Sequence, residues 1–183
     1  MFWILIIIFI TAADQITKAV IVNNVEFGEM IPVIEGFFYI THHTNSGAAW
    51  GVFSGGRYVF ISITILASVI MLYFLFKSGN KLLKVSLSLI LGGAIGNLID
   101  RIASGNVVDF LDFYFGSYNY PTFNVADSFI VIGTILLSVY ILFFYRESSR
   151  KERDSIYKTS EENNGGIKEK EDSLDCEHLK EQE

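Results

Sequence analysis

The sequence predicts an all-α membrane fold with a small β-element: four transmembrane helices, N-in and C-in, plus a short extracytoplasmic β-sheet segment. Three observations predict it. Hydrophobic residues make up 51% of the 183, and mean hydropathy is +0.40, high for a water-soluble chain. Uncharged runs close to the 20 or so residues that cross a bilayer recur along the chain. Charge is segregated as well, because residues 146–183 hold 8 of the 14 Lys+Arg and 12 of the 20 Asp+Glu. The net charge of −6 thus divides into −2 for the body and −4 for the tail. The pI of 5.1 therefore says little about partners, and nothing suggests nucleic acid. The single cysteine, Cys176, lies in the polar tail, so an intramolecular disulfide and a Cys-based metal site are both excluded.

The first span runs from Phe2 to about Val22 and is apolar except for Asp14, Gln15 and Lys18. Thr11-Ala12-Ala13 resembles a small-residue cleavage site, but no Lys or Arg precedes the apolar run, so the span is expected to be retained. Tyr58–Phe76 is free of charge and forms the second span. Leu82–Ile99, interrupted by Lys84 and Asn97, forms the third, and Ser128–Tyr145 the fourth. Lys77, Lys81 and Lys84 join spans two and three, and Arg146, Arg150, Lys151 and Arg153 follow span four. Residues 23–57 offer only Arg57, and 100–127 only Arg101, so both termini should be cytoplasmic and these two segments outside. Within the first, GFFYITHHTNSGAAWGVF from Gly36 mixes β-branched and aromatic residues in partial alternation. It predicts short strands at the membrane surface, a β-element within about 23–57. Residues 1–145 then form the membrane domain. Residues 146–183, with alternating charge and few apolar side chains, should form a disordered cytoplasmic tail.

Polar residues beside the membrane need an explanation. Asp14 and Lys18 are spaced i, i+4, so one helix face can pair them; they suit either a functional site or a snorkelling interfacial pair. The third span ends GGAIGNLIDRI. Its glycines permit close approach by a helix or a substrate, and Asn97 and Arg101 share a face with Asp100 between them. Asp127, in NVADS, opens the fourth span, where a helix N-terminus alone would favour an acid. Asp109, in VVDF, has no such reason and sits in an apolar setting. Burial and a second carboxylate both raise a carboxyl pKa. Two such acids can share a proton, one acting as base toward water and the other as acid toward a carbonyl oxygen. Asp109 and Asp127 are 18 residues apart, and a loop returning through Gly116 and Pro121 would bring them together. Adjacent His42 and His43 point to opposite faces of a strand and make a poor metal pair, so no metal site is expected. A transporter or channel subunit, with Asp14, Lys18, Asp100 and Arg101 along a path, and a noncatalytic assembly protein remain open on these grounds.

Five blocks together resemble the lipoprotein signal peptidases (signal peptidase II), a family of bacterial membrane aspartic peptidases. They are DQITK at Asp14–Lys18, TNSGAAWG at Thr44–Gly51, GGAIGNLIDR at Gly92–Arg101, VVDFLDF at Val107–Phe113 and FNVADS at Phe123–Ser128. The resemblance implies a catalytic dyad of Asp109 and Asp127, with Asp112 outside it. Asn45, Asn97, Arg101, Asn124, Asp14, Lys18 and Asp100 would bind substrate or support the dyad. It implies no cofactor and no metal. The partners would be membrane lipids and diacylglyceryl-modified prolipoproteins, cut N-terminal to the lipidated cysteine. The enzyme would be a multi-pass protein of the cytoplasmic membrane with its active site on the extracytoplasmic face. The long acidic tail and Trp50, where a smaller aromatic such as Phe is expected, depart from the family pattern.

Overall fold

The computed structural model describes residues 2–47 and 56–145; Trp50 and the expected tail from Arg146, with Cys176, lie outside them. The chain forms two units, Met1–Ser138 and Val139–Glu183. The first unit contains α1 (Phe2–Asn24), β1 (Met30–Ile34), β2 (Phe38–Asn45), α2 (Arg57–Lys77), α3 (Lys81–Ala103), β3 (Val107–Phe115), β4 (Tyr118–Asn119) and α4 (Val125–Val139) up to the unit boundary. Of the second unit, a π-helical segment, Tyr140–Tyr145, is described. Four helical runs, Phe2–Asn24, Arg57–Lys77, Lys81–Ala103 and Val125–Phe144, are long and apolar enough to cross a membrane, as the hydropathy pattern predicts.

Helix α1 buries Ile7, Ile10, Asp14, Lys18 and Ile21, a 3-4-4-3 spacing that puts one stripe against α3. The contact is close because α3 presents glycine there. A Cβ on Gly92 would lie 2.8 Å from that of Ile10, and one on Gly96 would lie 2.5 Å from Asp14 Oδ2. Gly93 faces α4, where a Cβ would strike the Ala126 carbonyl oxygen. Small residues let helices pack where lipid supplies no hydrophobic drive. Ile7, Leu75, Leu87 and Leu91 form the apolar core between the helices. Much of the remaining helix surface is apolar and exposed, including Phe9, Ile16, Ile63, Leu66 and Ile135, as a lipid-facing wall requires.

The sheet is larger than the sequence predicts. Two strands come from segment 23–57, as expected, but β3 and β4 come from the second outer segment, which reads as a loop. All four pair antiparallel in the order β1-β2-β3-β4. β3 forms because Val107–Phe115 is rich in β-branched and aromatic side chains and finds β2 as a partner, with His43 opposite Asp109. Gly116, at φ 63°, supplies the positive φ needed by the two-residue turn into β4. Phe110 on β3 packs with Ile21 and Val25, seating the sheet on the end of α1.

Two helix ends also differ from expectation. α3 continues to Ala103, past the predicted end at Ile99, so Asp100 and Arg101 are helical. α4 begins at Val125, three residues before the predicted Ser128.

Candidate active site

Asp127 lies in the first turn of α4, and a reciprocal cap fixes it there. Asn124 Oδ1 accepts from the Asp127 N–H at 2.9 Å, and Asp127 Oδ2 accepts from the Asn124 N–H at 3.3 Å. This is a capping box built with Asn and Asp, and it satisfies two amides at the helix start. The α4 N-terminus is also held from outside, because Asp14 Oδ1 on α1 accepts from the Ala126 N–H at 2.9 Å.

Asp109 reaches the same place on β3. Its neighbours Val108 and Phe110 pack over Ile21 and Val25, so strand alternation turns the Asp109 carboxylate the other way. That carboxylate is only 3% exposed. Asn124 Nδ2 donates to Oδ1 at 2.7 Å and Asn45 Nδ2 to Oδ2 at 3.2 Å. Burial pushes the Asp109 pKa up from 3.8 to about 7, and the nearby Asp127 pushes the same way; the two amides and Lys18 offset part of this. Both carboxylates border one cavity of about 240 Å³, whose wall also includes Asn45, Asn97, Arg101 and Thr122.

An amide chain joins the two acids. Asn97 Nδ2 donates to Asp127 Oδ1 at 2.8 Å, and Asn97 Oδ1 lies 3.2 Å from Asn124 Nδ2. Behind Asn97 stands a buried charge cluster. Lys18 Nζ is 2.8 Å from Asp14 Oδ2, 2.8 Å from Asp100 Oδ2 and 2.9 Å from Asn97 Oδ1. Asp100 also accepts from Gln15 at 2.9 Å and from the Val108 N–H at 3.2 Å, tying α1, α3 and β3 together. Arg101 donates to the Gly47 carbonyl at 3.3 Å and lies over the Phe60 ring at 5.1 Å.

Of the nine residues singled out from sequence, Asn45, Asn97, Arg101, Asp109 and Asp127 border the cavity. Asn124 bridges the two acids, and Asp14, Lys18 and Asp100 form the cluster behind. Asp112, outside that set, does not border the cavity; it accepts from Thr122 at 3.5 Å, and burial raises its pKa. Gln15 was missed, although it lies inside the DQITK block and adjoins Asp14. Among the described residues no group of His, Cys, Asp and Glu is placed to hold a metal. His42 Nδ1 is instead 2.9 Å from the Val25 carbonyl, and His43 is exposed.

A second, apolar groove of about 490 Å³ adjoins Asp127 and is lined by Phe113, Phe115, Phe123, Val131 and Ile132. The two hollows thus offer a polar site with two acids and, sharing Asp127, an apolar channel beside it.

Comparison with known proteins points the same way. The family profile of signal peptidase (SPase) II matches residues 6–143. A lipoprotein signal peptidase of Bacillus pumilus is 50% identical over 144 residues, covering 78% of this chain and 93% of that protein. Its counterpart in Bacillus subtilis is 43% identical over 156 residues, covering 84% and 99%. A bacterial membrane enzyme solved by the in meso method at 2.3 Å superposes with a TM-score of 0.74 at 41% identity, over 81% of this chain and 90% of the other. A second, solved at 1.9 Å, gives a TM-score of 0.71 at 42% identity, over 78% and 93%. With a match over most of its length, and relatives of this fold and this identity, the chain belongs to the signal peptidase II family.

Proposed function

We propose that this peptidase removes signal peptides from diacylglyceryl-modified prolipoproteins, with Asp109 and Asp127 as its catalytic dyad. The observation that carries the reading is that two acids from distant elements, a strand and a helix start, border one cavity and are linked through Asn97 and Asn124. A buried pair of this kind holds one proton between its members more readily than two charges.

In the reaction, the ionised aspartate takes a proton from water as the water attacks the scissile carbonyl. The protonated aspartate gives its proton to the carbonyl oxygen, and a neutral gem-diol forms. The first aspartate then protonates the leaving amine of the lipidated cysteine, while the second recovers its proton from the diol. The C–N bond breaks, the signal peptide leaves as a carboxylic acid, and the dyad returns to its starting state. Each positioned acid or base of this sort contributes on the order of 10² to 10⁴ in rate. Arg101 and Asn45, on the cavity wall, are placed to hold peptide carbonyls. The groove of Phe113, Phe123 and Val131 suits the acyl chains next to the cut, because it is apolar and touches Asp127.

Residues 1–145 form the catalytic membrane domain in this reading, and 146–183 a tail with no part in catalysis. The Lys and Arg distribution supports a cytoplasmic-membrane protein with both termini in the cytoplasm and the dyad on the extracytoplasmic face.

The test is cleavage of a diacylglyceryl-modified prolipoprotein by purified protein in detergent, followed by mass, with unlipidated substrate as control. Asp109→Asn and Asp127→Asn should abolish cleavage while Asp112→Asn keeps it. Folded wild-type protein that leaves several lipidated substrates intact would end the proposal, as would cleavage surviving in either dyad variant.

A further inference from the structure

The buried cation Lys18 stands one residue removed from the dyad, and the reaction above gives it nothing to do. Its burial is nearly complete, at 3% exposure, and its three N–H bonds have one acceptor each: Asp14 Oδ2, Asp100 Oδ2 and Asn97 Oδ1. An ammonium only donates. Whatever faces Lys18 on Asn97 must therefore be the carbonyl oxygen, and the amide nitrogen must face the other way, onto Asp127 Oδ1 at 2.8 Å.

An ionised Asp127, at 2.8 Å, selects the same orientation, but a protonated Asp127 could donate to a rotated Asn97, so it is Lys18, at 2.9 Å, that holds the amide direction in both states of the shared proton. Asn124 Nδ2 also approaches Asn97 Oδ1, at 3.2 Å, but its two hydrogens are shared with Asp109 Oδ1 at 2.7 Å and the Val108 carbonyl at 3.3 Å. Asp109 is the shortest of the three. Without Lys18, Asn97 is free to rotate whenever Asp127 carries the proton, and Asp127 Oδ1 then loses its donor.

We propose that Lys18 is a positioning residue for the dyad: by donating to Asn97 Oδ1 it sets the direction of the amide chain, so that Asn97 donates to Asp127 and the shared proton is kept for the cavity side of the pair. The inference rests on the dyad reading and gives the supporting role implied for Lys18 by the family resemblance a specific form, the direction of one amide. It separates two functions of the cluster. Asp14 holds the α4 N-terminus through Ala126, and Lys18 holds the polarity of Asn97.

The comparison that tests it is Lys18→Gln against Lys18→Met. Both remove the charge and both approximate the volume, but only glutamine retains an N–H to donate. In the lipidated-substrate assay, Lys18→Met should lose on the order of 10- to 100-fold in kcat, with KM changed far less, because substrate binding is untouched while the dyad is misaligned. Lys18→Gln should recover a large part of that loss. In an Asn97→Leu background the Lys18→Met change should cost almost nothing further, since the residue it acts through is gone. If either single variant fails to fold, the same comparison is made in the Asp14→Asn background, where the cluster keeps its native net charge and position 14 keeps an oxygen for the Ala126 N–H. Equal losses in the Gln and Met variants would overturn the proposal, as would losses that add fully to that of Asn97→Leu. Retained cleavage in Asp109→Asn would instead overturn the dyad reading itself, so the two failures are distinct.

Discussion

Replacing Asp109 by asparagine should destroy activity and, at alkaline pH, make the protein harder to unfold. The carboxylate is 3% exposed, and its pKa stands at about 7 against an ordinary 3.8. The folded state thus binds the Asp109 proton more tightly than the unfolded chain does. Its stabilising contribution is whole below pH 3.8 and is lost as pH rises through about 7. At about 1.4 kcal/mol per pH unit, keeping this acid ionised and buried costs the wild type roughly 4 kcal/mol at pH 8 but less than about 1 kcal/mol near pH 4. Asparagine escapes that cost. Its own amide turns one N–H2 toward the donors Asn45 and Asn124, a penalty of about 1–3 kcal/mol that does not vary with pH. The pH dependence is therefore the firm part of the prediction. Relative to wild type, Asp109→Asn should gain roughly 3–4 kcal/mol between pH 4 and pH 8, a rise in Tm on the order of 10 °C for a chain of this size. Thermal scans in one detergent at one scan rate, with both proteins at each pH, measure it. A Tm difference that stays flat from pH 4 to pH 8 would refute the claim that Asp109 is a buried acid with a raised pKa.

Three further outcomes follow from the same geometry. A dyad that works with one proton loses it as the last carboxyl ionises, so kcat/KM on a lipidated substrate should fall as pH rises through about 7; a plateau to pH 9 would count against a shared proton. Gly96→Ala puts a methyl 2.5 Å from Asp14 Oδ2, so it should cost about 1–3 kcal/mol in unfolding measurements and reduce cleavage by displacing Asp14 from Ala126. Asp14→Ala should be worse than Asp14→Asn by denaturant unfolding, because it removes an acceptor of Lys18 and the acceptor of the Ala126 N–H together. Lys18 keeps Asp100 in both variants, so the difference is that of unmet buried donors, about 1–3 kcal/mol, which asparagine avoids by keeping an acceptor.

The helices were legible because a span needs only length and apolar content, and each run supplied both. Their ends were less legible. The third span reads as stopping at Ile99, since Asp100 and Arg101 look like an interface, but in the fold Asp100 is drawn back by Lys18 and the helix continues. β3 was illegible for a different reason. Leu111 and Phe110 break its alternation, and its partner β2 lies more than sixty residues away, so pattern within the segment cannot reveal the pairing. Asp14, Lys18, Asn97, Arg101, Asp109 and Asp127 are legible as polar residues beside apolar runs, whereas Asn45 and Asn124 enter only through the family blocks, and spacing does not show how Asp109 and Asp127 meet. The i, i+4 spacing did predict the Asp14–Lys18 ion pair, yet gave no hint that Lys18 has two further partners on α3.

Those further partners bear on why such a cluster exists. A buried ion pair is weak ground for stability, since apolar residues of similar size often serve as well or better. Here one lysine and two aspartates are taken out of water among apolar helices, together with Asn97 and Asn124, and the half-buried Gln15 donates to one of the acids. Stability alone would favour leucines. The cluster instead solves a placement problem: Asp109 arrives on a strand and Asp127 on a helix, and no local rule of either element fixes one acid against the other. Asp14 ties α1 to the start of α4, Asp100 ties α3 to β3 through the Val108 N–H, and Lys18 joins these two acids to Asn97. The strand that carries Asp109 and the helix that carries Asp127 are thereby fastened to the same ammonium, which is the arrangement that the proposed dyad, and the proposed role of Lys18 in positioning it, require.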